Sequence, residues 1–239
     1  MKGRERNNYY IDVKELKGAF KEKIQKAIQI GFKWLLEKIP EKGKGLIVVP
    51  TKNQLKLSDI STVFPENMIK GLLKSNKFIT KDGYKFHLMT DRIDIIRFDG
   101  PVLAIFPMPS LIDKIDNVYE LKDVFIIPWG ENDIMNWLDT WSPTEYLTGK
   151  QYRSTLAISS EIADELESLT LGVNLSTGIS HPSDRREAIR LFQRLKSSNI
   201  EYDPRSVKLW LIKKGWKTKH AEDVKKVAQM IKEGKRPRY

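Results

Sequence analysis

The chain contains no cysteine, which removes disulfides, thiol chemistry and every cysteine-ligated zinc site. Histidine is almost as scarce. His87, His181 and His220 stand far apart, with no HxxxH or HxH spacing, so a histidine metal site would have to be assembled by the fold alone. No metal and no other cofactor is expected. Long apolar runs are missing too. The longest, 102–108 and 124–129, fall well short of the roughly 20 residues a membrane-spanning helix needs. The first eight residues are polar and basic with no apolar segment behind them, so no secretory signal is expected and the expected location is the cytoplasm. Neither a GxGxxG loop nor a Walker A loop is present, and the GxSxG nucleophile elbow is absent.

What the chain does have is segregated charge. Residues 1–90 carry a net +10, residues 91–184 a net −10 and residues 185–239 a net +11. A dense basic block is a candidate footprint for a polyanion, nucleic acid first. The acidic middle is the obvious internal competitor for it.

Apolar periodicity divides the chain in two. A helix is predicted over 13–39, because Phe20, Ile24, Ala27, Ile28, Phe32, Leu35 and Leu36 fall on one face and Pro40 and Gly43 end it. Three apolar, β-branched runs then end in proline: 46–50, 102–107 and 124–128. Such runs suit strands buried on both faces of a parallel sheet, and proline stops the ladder. Helices are predicted after the second and third, over 110–117 and 132–141, and a short one over 65–75 with Pro65 in its first turn. Residues 84–89 and 93–98 read as further strands. Breakers at Ser142-Pro143 and Gly149-Lys150 mark a boundary, after which only helices are predicted: 159–171; 185–198 capped by Asp184; 204–214 capped by Asp203; and 219–233 capped by Thr218. The expectation is an α/β chain. Residues 1–148 would form a Rossmann-like three-layer domain with a mostly parallel sheet, and residues 149–239 a small all-helical basic module.

Three groups of residues carry candidate chemistry. In the helical module Arg186, Arg190 and Arg194 recur at i, i+4, i+8 and line one helix face. The last two predicted helices form a helix–turn–helix pair. Val207, Trp210 and Leu211 face Ala221, Val224, Ala228 and Ile231 across Gly215, leaving Lys213, Lys214, Lys217, Lys219, Lys225 and Lys226 outside. Phosphate contact by Arg186, Arg190, Arg194, Lys217, Lys219, Lys225 and Lys226 would be salt-sensitive and would not need base readout. A plain solvated helical face is the bland alternative. The second group would gather at the carboxyl rim of the sheet: Lys52, Asn53, Trp129, Glu131 and Asp133, with Lys52 for a phosphate and Glu131 or Asp133 as base or metal ligand. There the alternative is that Asp133 or Asn132 caps a helix. The third is the loop 174–186, where Ser183 and Arg185 beside a helix start suit a phosphate, and caps are again the alternative.

The stretch 207–228, with Trp210 and Gly215, is distantly similar to the two-helix DNA-binding domain of actinobacterial nucleoid-bridging proteins. Those domains carry an Arg-Gly-Arg hook for the minor groove. This chain has Lys217-Thr218-Lys219-His220 in its place, so minor-groove reading does not carry over and membership of that family is not claimed.

The reading favoured by the residues is a nucleic-acid-binding protein, DNA ahead of RNA, that contacts phosphates through the C-terminal helices without catalysis. No membrane partner is expected. Two alternatives remain open: an enzyme processing nucleotides or phosphate esters at the sheet rim, and an adaptor whose basic face meets an acidic protein.

Overall fold

The computed structural model describes residues 6–154, 156 and 158–237. Strand β1 (Asn7–Tyr10) and a 3₁₀ turn at Val13–Glu15 precede helix α1 (Phe20–Lys38) and strand β2 (Lys44–Val48). Short helices α2 (Lys52–Leu57) and α3 (Ile60–Val63) lead to α4 (Glu66–Ser75), then to strands β3 (Lys77–Ile79), β4 (Lys85–Met89) and β5 (Val102–Ile105). Helix α5 (Pro109–Asn117), strand β6 (Asp123–Ile127), helix α6 (Glu131–Trp141) and strand β7 (Thr144–Glu145) follow. Helices α7 (Ser160–Gly172), α8 (Pro182–Ser197), α9 (Pro204–Lys213) and α10 (Thr218–Lys232) complete the chain, with a 3₁₀ turn at Gly178–Ser180 before α8. Contacts divide the chain into two units. One is Arg6–Leu138 with Ser142–Tyr152; the other is Asp139–Trp141 with the described part of Arg153–Tyr239.

The first unit is mixed α/β. Its sheet has seven strands in the order β3-β4-β2-β5-β6-β1-β7. Every pairing is parallel except β3 with β4. The three proline-terminated runs form β2, β5 and β6 at its centre. Ile47, Leu103, Ile105, Phe125 and Ile127 join one apolar cluster with Ile24, Ile28 and Leu35 of α1 and Met68 and Leu72 of α4. Burying those five strand side chains is worth roughly 7–15 kcal/mol at about 1.5–3 kcal/mol each. That is comparable to the whole stability of a domain, of order 5–15 kcal/mol. The alternate residues Leu46, Val48, Val102, Ala104, Val124 and Ile126 are equally buried, so the opposite face is covered as well.

Strand β1 lies between β6 and β7, a place no apolar run announced. It is polar, Asn7-Asn8-Tyr9-Tyr10, and its anchor is ionic. The Arg6 guanidinium meets the Asp116 carboxylate at 2.6 Å, with 1% and 5% of the two side chains exposed. Arg6 also donates through Nε to Asn8 Oδ1, at 2.7 Å.

Several sequence expectations require correction. The helix expected over 13–39 begins at Phe20. Asp12 accepts from the Lys14 N–H and closes a 3₁₀ turn first, and Gly18 then takes φ +118, which an α-helix cannot continue through. Residues 93–98 form no strand. They make only isolated bridges, Thr90 with Ile93 and Arg97 with Tyr119. Helix α8 starts at Pro182, not 185, because Pro182 occupies its first position and His181 Nδ1 accepts the Ser183 N–H. Asp184 therefore sits within the first turn and is not the cap. The cap of α10 is Lys217, without a side-chain bond, and Thr218 is its first helical residue. Trp210 is only half-buried, while Trp216 is fully buried and donates through Nε1 to Thr170 Oγ1 at 3.0 Å. Asp203 does cap α9, accepting from the N–H groups of Arg205 and Ser206.

Replacing Asp116 by Ala would leave the Arg6 charge buried without this carboxylate. The expected loss is about 3–5 kcal/mol of stability in denaturant unfolding. A change below about 1 kcal/mol would show that the pair does not anchor β1.

Candidate nucleic-acid interface

The helical unit is organised by two parallel helices. At one end, the Lys196 ammonium of α8 donates to the carbonyl of Ile231 in α10, at 2.7 Å. At the other, the 3₁₀ turn that leads into α8 packs on the start of α10. There a ring nitrogen of His220 meets the Ser176 carbonyl at 3.1 Å. Gly178 takes φ +57, and a Cβ placed on it would stand 2.5 Å from the His220 Cβ. Both helices thus begin at the same end of the unit.

That end is cationic. The first turn of α8 brings Ser183 and Arg185, with Arg186 just beyond it, and the start of α10 brings Lys217 and Lys219. The unpaired N–H groups of a helix start, with the positive end of its dipole, favour anions there and disfavour cations. Helix α8 respects this with Asp184 in its first turn. Helix α10 has no acidic residue in its first turn and places Lys217 and Lys219 against its positive end. This is the wrong sign for stability, worth about 0.3–1 kcal/mol per charge against the fold.

The seven sequence-named cations separate into two kinds. Arg190 pairs with Glu187 at 2.6 Å and Arg194 with Glu165 at 2.6 Å. Lys225 pairs with Glu222 at 3.2 Å and Lys226 with Asp223 at 3.5 Å. Among the described residues, Arg186, Lys217 and Lys219 make no ion pair. Part of the acidic block therefore does lie against the basic helices: α7 supplies Glu165, and its Glu167 meets Lys214 at 2.6 Å. The Lys214 ammonium holds the Glu167 carboxyl below its ordinary value. The Arg190 and Arg194 pairs are largely exposed, so each is worth only about 0–1 kcal/mol, an amount a phosphate can outbid.

At the start of α8, the Ser183 hydroxyl lies 2.7 Å from His181 Nδ1 and donates to Asp184 Oδ1 at 3.0 Å. Histidine and aspartate thus meet the same serine oxygen. A nucleophilic triad needs the carboxylate on the far nitrogen of the histidine, so this cluster is a helix cap.

The five rim residues of the α/β unit lie in two different places. Trp129 and Glu131 line a cavity of about 200 Å³ with Tyr10, Asp12 and Phe20. Glu131 is paired there with Lys14 at 3.5 Å. Burial, helped by Glu145, Asp12 and Glu131, pushes the Tyr10 hydroxyl above its ordinary pKa. Asp133 Oδ2 accepts the Gly130 N–H at 3.1 Å and so serves the start of α6. Lys52 and Asn53 line a separate cavity of about 620 Å³, and the Lys52 ammonium donates to the Leu73 carbonyl at 2.7 Å. Arg92 and Asn76 line that second cavity and were not singled out from the sequence. They sit in turn-like segments with no motif, and only the sheet register brings them beside β2. Among the described residues no three His, Asp or Glu side chains gather as a metal site, and no helix is long and apolar enough to cross a membrane.

Fold and site together describe an α/β unit joined to a cationic helical unit. Residues 161–239, which hold α7 to α10, match a family model described as Domain of unknown function (DUF1889). No curated protein and no solved structure matches the chain.

The Gly178–His220 contact sets how the two helix starts meet. Gly178→Ala adds a Cβ against backbone-proximal atoms at a left-handed position, and the expected cost is about 1–3 kcal/mol. In a double-mutant cycle His220→Gly, which removes the Cβ that would stand 2.5 Å away, should return part of that loss. Strict additivity of the two changes would show that they do not touch. Asp203 gives a pH test of the same unit. Burial pulls its carboxyl up, but the Ser206 hydroxyl and the N–H groups of Arg205 and Ser206 outweigh that and leave it below its ordinary value. The folded-state pKa is depressed, so the stabilisation is complete above the unfolded carboxylate value of about 3.9 and fades as pH falls through the folded one. Asp203→Ala should cost about 1 kcal/mol at neutral pH and progressively less in this acid range.

Proposed function

We propose that the protein binds nucleic acid, duplex DNA in preference to RNA, by phosphate contacts from the end of the helical unit where α8 and α10 begin, without catalysis. One observation carries this reading. Lys217 and Lys219 sit at the positive end of α10, with no acid in its first turn and no ion pair among the described residues. Cations so placed weaken the helix unless an anion joins them. Local rules broken without an evident structural return are expected at functional positions. Arg186, Arg185 and Ser183 at the neighbouring helix start extend the same anion-favouring end, and Arg190, Arg194, Lys225 and Lys226 add contacts once their surface pairs open.

In this reading α9 and α10 act as a helix-turn-helix-like pair, and the α/β unit is a Rossmann-like three-layer domain serving assembly or ligand sensing. The carboxylates of α7 limit the footprint along α8, which favours the helix starts over the full Arg186, Arg190, Arg194 stripe as its centre.

The measurement is binding of a labelled duplex to the full chain across a salt series. The expected slope of log K against log salt is steep. It should flatten by about 2–3 in Arg186→Gln/Lys217→Gln/Lys219→Gln, since each lost phosphate contact removes roughly 0.9. Arg190→Gln/Arg194→Gln should change it less. No binding at low salt, or a slope indifferent to the triple change, would overturn the reading. A preference for heparin over duplex DNA would favour an acidic protein partner instead.

A further inference from the structure

The smaller cavity of the α/β unit lies where two neighbouring parallel strands end. Strands β1 and β6 run side by side, and the chain leaves them in opposite directions along the sheet, from β1 toward β2 and from β6 toward β7. Open α/β sheets bind ligands outside the carboxyl ends of their strands at such a reversal. The cavity measures about 200 Å³, below the roughly 300–1,000 Å³ of sites for drug-sized ligands, so it suits a compact group.

Its walls are aromatic, and their rings are reachable. Phe20 and Trp129 meet with centroids 5.6 Å apart and planes at 84°, yet each remains 60% exposed. Large apolar side chains grouped in the open mark a contact surface. Trp129 is held from its other neighbour, Phe106 at the end of β5, with centroids 5.3 Å apart and planes at 88°. Phe106 takes φ +52, a left-handed backbone that a bulky residue rarely adopts, and its N–H donates to the Ile127 carbonyl at 2.8 Å. Such strained positions gather at ligand clamps. Tyr10, half-buried, supplies the third ring of the cavity itself.

The charge beside these rings is negative and unmet. Glu145, Asp12 and Glu131 all act on the Tyr10 hydroxyl. Among the described residues only Glu131 of these three has a cation, Lys14 at 3.5 Å. Lys23, the other lysine of the cavity, donates to the Lys14 carbonyl at 3.2 Å. Asp12 accepts the Lys14 N–H through Oδ1 at 2.9 Å, and its half-buried carboxylate keeps its charge without an ion pair among the described residues. An anionic ligand is disfavoured here, because the start of α6 already carries Glu131 and Asp133 in its first turn. A primary ammonium has three N–H donors, each in need of an acceptor, in a cavity walled by rings. A trimethylammonium group has none, and its charged methyl groups pack on aromatic faces. We propose that this cavity binds a small soluble molecule bearing a trimethylammonium group, with the methyl groups on Trp129, Phe20 and Tyr10 and the charge facing Asp12. The site belongs to the α/β unit and does not rest on the nucleic-acid reading.

The test is calorimetric titration of the full chain with choline, with ethanolamine and the uncharged isostere neohexanol (carbon in place of the choline nitrogen) as separate arms. Choline is expected to bind at least about tenfold more tightly than either, since it alone joins positive charge to methyl groups without N–H donors. Trp129→Leu should cut choline affinity about tenfold by removing the ring. Asp12→Asn keeps an acceptor for the Lys14 N–H but loses the charge, and should bring choline down to the level of neohexanol. Should that variant fail to melt cooperatively, Trp129→Leu at its exposed position and the neohexanol arm decide the matter without it. Lys217→Gln/Lys219→Gln should leave choline binding intact. Absence of choline binding, equal affinity for neohexanol or ethanolamine, or indifference to Trp129→Leu would each overturn the proposal.

Discussion

Strands β2, β5 and β6 have no face that tolerates water, and the α/β unit is organised around that constraint. Residues on both sides of these strands are completely buried, from Leu46 and Ile47 through Leu103 and Ala104 to Phe125 and Ile126. Neither face can be left to solvent without giving up free energy comparable to the stability of the domain. Helices must therefore cover both faces, and parallel strands need such crossovers in any case. What remains open is the edge where the strands end. The prolines there stop the ladder, and the cavities lined by Trp129 and by Arg92 open beside it.

The helical unit meets a different constraint. Two parallel helices present two positive ends at one place, which is electrostatically costly unless something negative joins them. Helix α8 carries Asp184 there and α10 carries lysines. The contact of Gly178 with His220 holds the starts together, and Lys196 ties the far ends through the Ile231 carbonyl. The buried seam of α9 and α10 leaves Lys213, Lys219 and Lys226 exposed, while Lys208 of α9 is mostly buried against Glu222 of α10. Basic composition alone becomes a directed surface only through this geometry.

Legibility from sequence followed the physical origin of each element. β2, β5 and β6 were readable because continuous apolar runs have few other places to go. α9 was readable with its cap, since Asp203, Pro204 and the Gly215 turn form a complete local signal. β1 was not readable, because Asn7 and Asn8 have no strand pattern and the strand is held by Arg6 with Asp116, 110 positions away. Nor was the start of α8, where histidine took the capping role and aspartate moved inside. The rim residues were chosen as one group from one strand-end rule, yet the sheet order sets β2 apart from β6 with β5 between them.

Sequence alone determined the alternation of buried strands and helices, the helical character of the last third and the cationic excess it carries. These follow from local periodicity, capping chemistry and composition, which need no knowledge of distant residues. Tertiary structure alone decided that Glu165 of α7 takes Arg194, and that α8 and α10 start side by side. It also decided that Asp12 and Trp129 share a cavity. Each of these is a pairing between residues remote in the chain or turned by a helix register, and charge or hydrogen-bond complementarity acts across space without leaving a local pattern.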